Sequence, residues 1–276
     1  MVTQPEKCQA FRALHAREQT FIMPNPWDAG SARILQDLGF PALATTSSGF
    51  ARSRGLRDGE PGREAVLAHA AELVVATDIP VSADLEDGFG PQPEDVALTI
   101  ARAIDVGLAG GSIEDYTGRA DQPLYPVEVA AERVRAAAEV ARSSGLPFVL
   151  TARAENFFRG VPDLADTIRR LQAYQEAGAD VLFAPSLRSR EDLATVLSEV
   201  DRPLSVLAGF GGLSSLTVSD YQTLGVRRLS IGGSLASLAY GALLRGAREL
   251  AAHGSFGFAK EASAHGRELA ALAKLR

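Results

Sequence analysis

Acidic side chains recur at the ends of successive β-like runs of this 276-residue chain, and an arginine ends the next run. ADLEDGFG carries Asp84 and Glu86, SIEDY carries Glu114 and Asp115, and TARAEN carries Arg153, Glu155 and Asn156. Asp58 follows the run TTSSGF (45–50), inside RSRGLRDGE. Asp84 and Glu86 are two residues apart, so on a strand their side chains point to one side. Carboxylates that converge on one mouth repel one another and titrate high unless a cation neutralises them. A hard divalent ion with oxygen ligands meets that need, Mg²⁺ first and Mn²⁺ as an alternative. Arg153 would then offer its fork to a carboxylate or phosphate, so an anionic substrate bridging metal and arginine is expected. The plainer readings are that a single acid pair serves as a loop ion pair and that Asp87 or Asp115 caps a helix. The glycines of Gly209-Phe-Gly-Gly and of Gly232-Gly233 read either as a phosphate cradle or as turns. Trp27, Phe157 and Phe158 read as packing residues, and Cys8 as an inert helix residue.

The remaining inventory narrows the chemistry. The three lysines are Lys7, Lys260 and Lys274, and none lies between residues 8 and 259. That argues against Schiff-base and pyridoxal mechanisms, which need a lysine in the site. His15, His69, His253 and His265 all fall in helix-like or post-helix segments, a poor arrangement for a zinc site or a histidine acid–base pair. With 28 basic and 34 acidic residues the net charge is −6, which argues against nucleic acid as a partner. One cysteine excludes an internal disulfide framework and suits a reducing cytosol, so a cytoplasmic location is expected. No apolar run reaches the roughly 20 residues of a membrane helix, and MVTQPEKCQAF lacks a signal-peptide core, so no membrane association is expected.

The elements that must position these residues alternate. Strand-like runs at 20–24, 41–46, 80–86, 111–116, 148–154, 181–185, 203–208 and 227–232 are separated by alanine-rich amphipathic stretches such as 63–76 and 126–143. Pro126 reads as a first-turn residue and Gly145 as a stop; DLGF, EAGAD and TLGVRR read as helix-to-strand joins. Eight such units are the count of a (β/α)₈ barrel, an α/β fold, and no Gly-x-Gly-x-x-Gly follows the first run. A single domain over 1–276 is expected, opened by a helix at 5–17 and extended by helices at 234–252 and 258–275. In such a barrel function gathers at the C-terminal strand ends, where the acids and Arg153 lie.

At these residues the chain resembles the isocitrate lyase/phosphoenolpyruvate mutase superfamily, from NPWDAGSARILQDLGF through TTSSGF, ADLEDGFG, SIED, TARAE and EAGAD. The resemblance implies a barrel whose eighth helix is exchanged with a neighbouring subunit, here within 234–276, giving a homodimer or homotetramer. It implies a metal-binding aspartate at Asp84, with water-mediated partners at Asp58, Glu86 and Glu114. It implies substrate-binding groups at Ser48, Gly49 and Phe50, and a substrate arginine at Arg153. Two departures stand out. The Asp-x-Asp of that family is Asp84-Leu-Glu86 here, and the loop 114–126 (EDYTGRADQPLYP) lacks the Lys, Cys and His of the lyase gate and the Lys and Asn of the mutase gate. The strand-six position that carries Glu or His in the family falls near Pro185.

The expected activity is a Mg²⁺-dependent carbon–carbon lyase or decarboxylase acting on a small 2-oxo or 2-hydroxy di- or tricarboxylic acid. Arg153, Glu114 and Asp58 are the catalytic candidates, and Asn156 joins Arg153 as a substrate contact. The proton carrier is open among Tyr116, water on Arg119 and a metal-held water. Phosphonopyruvate hydrolysis or phosphoenolpyruvate mutation, and a non-catalytic 2-oxo acid binder, are the alternatives.

Overall fold

All eight strand-like runs form strands, each shorter than its apolar run. In the computed structural model, which describes residues 2–272, they are β1 (Phe21–Ile22), β2 (Leu43–Ala44), β3 (Val81–Asp84), β4 (Gly110–Glu114), β5 (Val149–Arg153), β6 (Val181–Phe183), β7 (Leu204–Leu207) and β8 (Arg228–Ser230). Every ladder is parallel, in the order β1-β8-β7-β6-β5-β4-β3-β2. The seam is bridged where the Ala44 amide donates to the Pro24 carbonyl at 3.1 Å, so the sheet curls into a barrel.

The outer ring is helical. The described α-helices are α1 (Gln4–Ala16), α2 (Ala29–Asp37), α3 (Ser47–Ser53), α4 (Arg63–Ala76), α5 (Pro93–Asp105), α6 (Val127–Ser143), α7 (Leu164–Ala177), α8 (Arg190–Glu199), α9 (Val218–Leu224), α10 (Ser234–His253) and α11 (Ala259–Leu272). The expected helix at 258–275 therefore holds as far as Leu272, and its remainder lies outside the described residues. Pro126 is the N-cap of α6 rather than a first-turn residue, because its ψ of 145° is extended. The α7 stop follows the expected punctuation: Gly178 adopts φ 108°, a left-handed turn that suits glycine. Alanines on the buried face of α6 (Ala130, Ala137, Ala138, Ala141) let it pack closely between α5 and α7.

Two apolar layers hold the frame. The larger lies between the strands' outer faces and the helices; the smaller closes the N-terminal end of the barrel, where Cys8, Phe11 and Leu14 of α1 meet Met23, Ala44, Val149 and Val181. Gly110 is required there, since a Cβ would stand 2.7 Å from both the Phe11 ring and the Val149 carbonyl. Cys8 is indeed a buried helix residue.

His15 sits in the same plug, edge-on to the Phe11 and Phe21 rings at 4.7 and 5.1 Å. Burial, with help from the Arg228 charge, lowers its pKa from 6.5 to about 3. The unfolded chain thus takes up a proton that the folded one refuses, and stability falls as pH drops from 6.5 towards 3. His15→Gln is expected to remove about one proton from the pH dependence of the unfolding free energy, seen above pH 5 by urea titration.

Candidate active site

The C-terminal strand ends open on a cavity of about 790 Å³. Its walls include Asp58, Asp84, Glu86, Glu114 and Arg153, so the acids and arginine singled out from the sequence do converge.

Each acid is set by a different local device. Asp84 ends β3; its amide donates to Thr45 Oγ1 at 2.8 Å, and its Oδ1 accepts from Arg153 Nη1 at 3.0 Å. Glu86 reaches the cavity for a reason other than strand alternation. The strand has ended, and Glu86 adopts φ 50°, a left-handed conformation uncommon for a side chain of its size. The segment around it is pinned from both sides. Buried Arg133 of α6 donates to the Asp87 and Gly90 carbonyls, and Arg63 donates to the Phe89 carbonyl at 3.0 Å. Asp58 lies in the loop between α3 and α4, beside a turn closed by Glu60 on the Arg57 amide at 2.8 Å.

Arg153 is the hub. It is within 3.0 Å of Asp84, 3.1 Å of Glu114 and 2.8 Å of Glu155. Burial works against its charge, but Glu155, Glu114 and Asp84 together push its pKa well above the usual arginine value. A second guanidinium, Arg159, bonds Glu114 at 2.8 Å and Glu155 at 3.0 Å and stacks 3.5 Å from the Tyr116 ring centroid. The sequence did not mark Arg159; the available signal was its i,i+4 spacing from Glu155 in the loop after strand five.

Five carboxylates therefore face two guanidiniums, and the acids show the imbalance. Burial, then Asp84, Asp58 and Asp87, raise Glu86 to about 8. Burial and Glu155 raise Glu114 well above the carboxylate range, and burial raises Asp58. Glu86 Oε1 is buried without any hydrogen-bond partner. A divalent cation fits this donor set and this orphaned oxygen. Among the described residues no three His, Cys, Asp or Glu side chains are grouped closely enough to hold a metal alone. An ion here would complete its shell with water or substrate oxygens, as Mg²⁺ commonly does.

Other expected contacts divide. Ser48 lines the cavity, but Gly49 and Phe50 do not. The Gly49 amide donates to Thr46 Oγ1 at 3.3 Å, the Phe50 amide to the Thr46 carbonyl at 3.0 Å, and the Phe50 ring stacks on His69 at 4.1 Å. Asn156 is fully buried behind the cavity, where its Nδ2 donates to Asp166 at 2.8 Å. Arg119 pairs with Asp121 on an exposed loop outside the cavity lining, whereas Tyr116 lines it. Phe158, read as packing, is instead half exposed and borders the cavity. Phe183 and Pro185 supply the apolar strand-six wall. Gly232 and Gly233 lead into α10, whose first residue Ser234 also lines the cavity, so a helix N-terminus faces this space.

Asp87 and Asp115 are not helix caps. Asp87 closes a local turn on the Phe89 amide at 2.9 Å. Asp115 is buried behind the site, accepting from Tyr174 Oη at 2.5 Å, Arg170 at 3.0 Å and the Glu155 amide at 2.9 Å. It thereby fixes the backbone that presents Glu155 to both arginines. Asp115→Ala would leave the Arg170 guanidinium short of a buried partner, and a loss of about 3–5 kcal/mol is expected in urea unfolding.

The phosphoenolpyruvate phosphomutase family matches residues 11–251. A Burkholderia cenocepacia J2315 protein, provisionally described as a lyase/mutase, is 50% identical with a TM-score of 0.90, over 93% of this chain and 92% of that one. The structure of an oxaloacetate acetylhydrolase in complex with the product oxalate is 27% identical with a TM-score of 0.84, over 92% and 89% of the chains. The 2-methylisocitrate lyase of Halalkalibacterium halodurans is 31% identical over 231 residues, 81% of this chain and 75% of that protein.

Proposed function

Because the chain belongs to the phosphoenolpyruvate phosphomutase family, whose members similar to it include lyases and mutases, we propose that it is a Mg²⁺-dependent carbon–carbon lyase. Its substrate is a small 2-oxo or 2-hydroxy di- or tricarboxylic acid, cleaved through an enolate-like intermediate. The observation that carries this reading is the excess of carboxylates over guanidiniums around one cavity, with Glu86 Oε1 buried and unpaired.

Asp84, Glu86, Glu114 and Asp58 are the residues that would hold the ion, directly or through water. A bound Mg²⁺ supplies the Lewis-acid charge that lowers the cost of a developing enolate oxygen. The chain's own groups do the rest. Arg153 faces the cavity beside Asp84 and presents its guanidinium to the substrate's carboxylate or oxo oxygen. Ser48 and the N-terminal end of α10, which line the same cavity, would help orient that anionic end. Tyr116, held against Arg159 and lining the cavity, is the phenol that would pass a proton to the leaving fragment and regain one from the substrate hydroxyl or, for a 2-oxo acid, from water. The apolar Phe183–Pro185 wall and Phe158 limit water beside the bond that breaks.

The glycine-led N-terminus of α10 would equally receive a phosphonate, so phosphorus–carbon chemistry is the second reading. A panel assay separates the two, following pyruvate, glyoxylate and phosphate release from oxaloacetate, alkylmalates and phosphonopyruvate, with and without EDTA. Carbon–carbon cleavage of a carboxylic acid that stops with EDTA is the expected result. Phosphate release from phosphonopyruvate alone would transfer the assignment. Oxalate binding with no turnover of any acid would make the protein a 2-oxo acid binder.

We also propose a homo-oligomer. Leu243 and Leu250, seven residues apart on one face of α10, and Phe256 after it are exposed, an apolar surface a second copy would cover. Light scattering is expected to report a dimer or tetramer, and a Leu243→Glu/Leu250→Glu variant a monomer.

A further inference from the structure

Arg228, the first residue of β8, lines the same cavity at its deep end and has no part in the chemistry assigned above. Its side chain is buried and donates from Nε to Ser205 Oγ at 2.9 Å and from Nη2 to Thr151 Oγ1 at 3.1 Å. Nη1 faces His15 Nε2 at 3.3 Å. His15 Nδ1 lies 2.8 Å from the Phe11 carbonyl, which assigns its proton to Nδ1 and leaves Nε2 to accept. All three partners are neutral, and among the described residues no carboxylate stands within ion-pair distance of Arg228. The neighbouring charge that acts on it most is another cation, Arg153. A guanidinium carries five N–H groups, so these three contacts leave donors to spare.

The surroundings have the same character. Barrel interiors are usually filled by bulky branched side chains. Here Ala44, Ser82, Ser112 and Ser230 line the cavity instead, leaving open space above Arg228. Ser82 and Ser230 are buried as residues and line the cavity, so two hydroxyl-bearing side chains border that space. A cation buried without a counter-charge is costly unless an anion joins it.

We propose that Arg228, Ser82 and Ser230 form an anion-binding floor to the cavity and that it receives a carboxylate group. Thr151, which Arg228 touches, precedes Arg153 by two residues on β5. Residues two apart on a strand point to one side, so the two guanidiniums succeed one another along the same wall, an order that suits the two ends of a four-carbon dicarboxylic acid. The carboxylate is therefore either the far end of such a substrate or a free small acid such as formate. The floor itself is independent of the metal rim; only the first source rests on the proposed function.

The test uses the full chain in EDTA, so that it reads the floor whatever happens at the rim. Sodium formate is expected to raise Tm in a saturable manner, and crystals soaked in sodium bromide to show an anomalous peak beside Arg228 and Ser230. Arg228→Met should weaken formate binding by at least about tenfold, the loss of a charge-assisted hydrogen bond. Ser230→Val, which leaves the guanidinium in place and narrows the floor, should do the same and serves if Arg228→Met does not fold. With metal restored, formate competition against a four-carbon dicarboxylate but not against oxalate assigns the floor to the substrate's far end. Competition against neither assigns it to a free acid. Equal formate stabilisation of the wild type and Ser230→Val, or an anomalous peak only elsewhere, overturns the proposal.

Discussion

Arg153→Ala is expected to lower kcat/KM on the acid identified by the substrate panel by at least about two orders of magnitude. Removing one preorganised donor to a developing oxyanion typically raises the barrier by about 2.7–4 kcal/mol. Here the same side chain also separates Asp84, Glu114 and Glu155, which it meets at 3.0, 3.1 and 2.8 Å. Its loss leaves buried carboxylates facing one another, so a stability loss of about 3–5 kcal/mol should accompany the kinetic one. Arg153→Lys tells the two effects apart. A lysine restores a charge but not the fork, so urea unfolding should recover more than kcat/KM does. Equal recovery of both would mean that Arg153 acts as a structural counter-ion alone.

Asp84→Ala should have the other large effect, on cation affinity. Asp84 is the acid from which a cation would have to displace Arg153, since its Oδ1 already accepts from Nη1. Calorimetric titration of Mn²⁺ into the variant is expected to show affinity weakened at least about a hundredfold, beyond the ten- to hundredfold cost of losing an outer-shell partner. Activity should vanish with it. EDTA should abolish wild-type activity and Mg²⁺ restore it. Turnover that survives both would remove the cation from the mechanism.

Much of this site was legible in the sequence because strand ends carry their own signature. Asp84, Glu114 and Arg153 each close an apolar run, and strand ends in a parallel barrel share one face, so their convergence followed from counting units. Glu86 converged for a reason that spacing did not reveal: it lies past the strand, in a left-handed turn held by Arg133 and Arg63 from distant helices. Gly49 and Phe50 left the cavity because TTSSGF starts a short helix whose own hydrogen bonds occupy their amides. Asn156 was drawn behind the wall by Asp166, a tertiary partner invisible to local pattern. Arg228 was hidden in plain view as a charged residue inside a strand-like run, and Arg159 in a loop that brings it onto the Tyr116 ring.

Crystals grown with Mn²⁺ and oxalate measure the central claim most directly. The account predicts an anomalous peak among Asp84, Glu86, Glu114 and Asp58, with oxalate beside it and Arg153 turned from Asp84 onto the oxalate. A rim without manganese, Arg153 still paired with Asp84 and Glu114, and oxalate affinity unchanged by EDTA would contradict it.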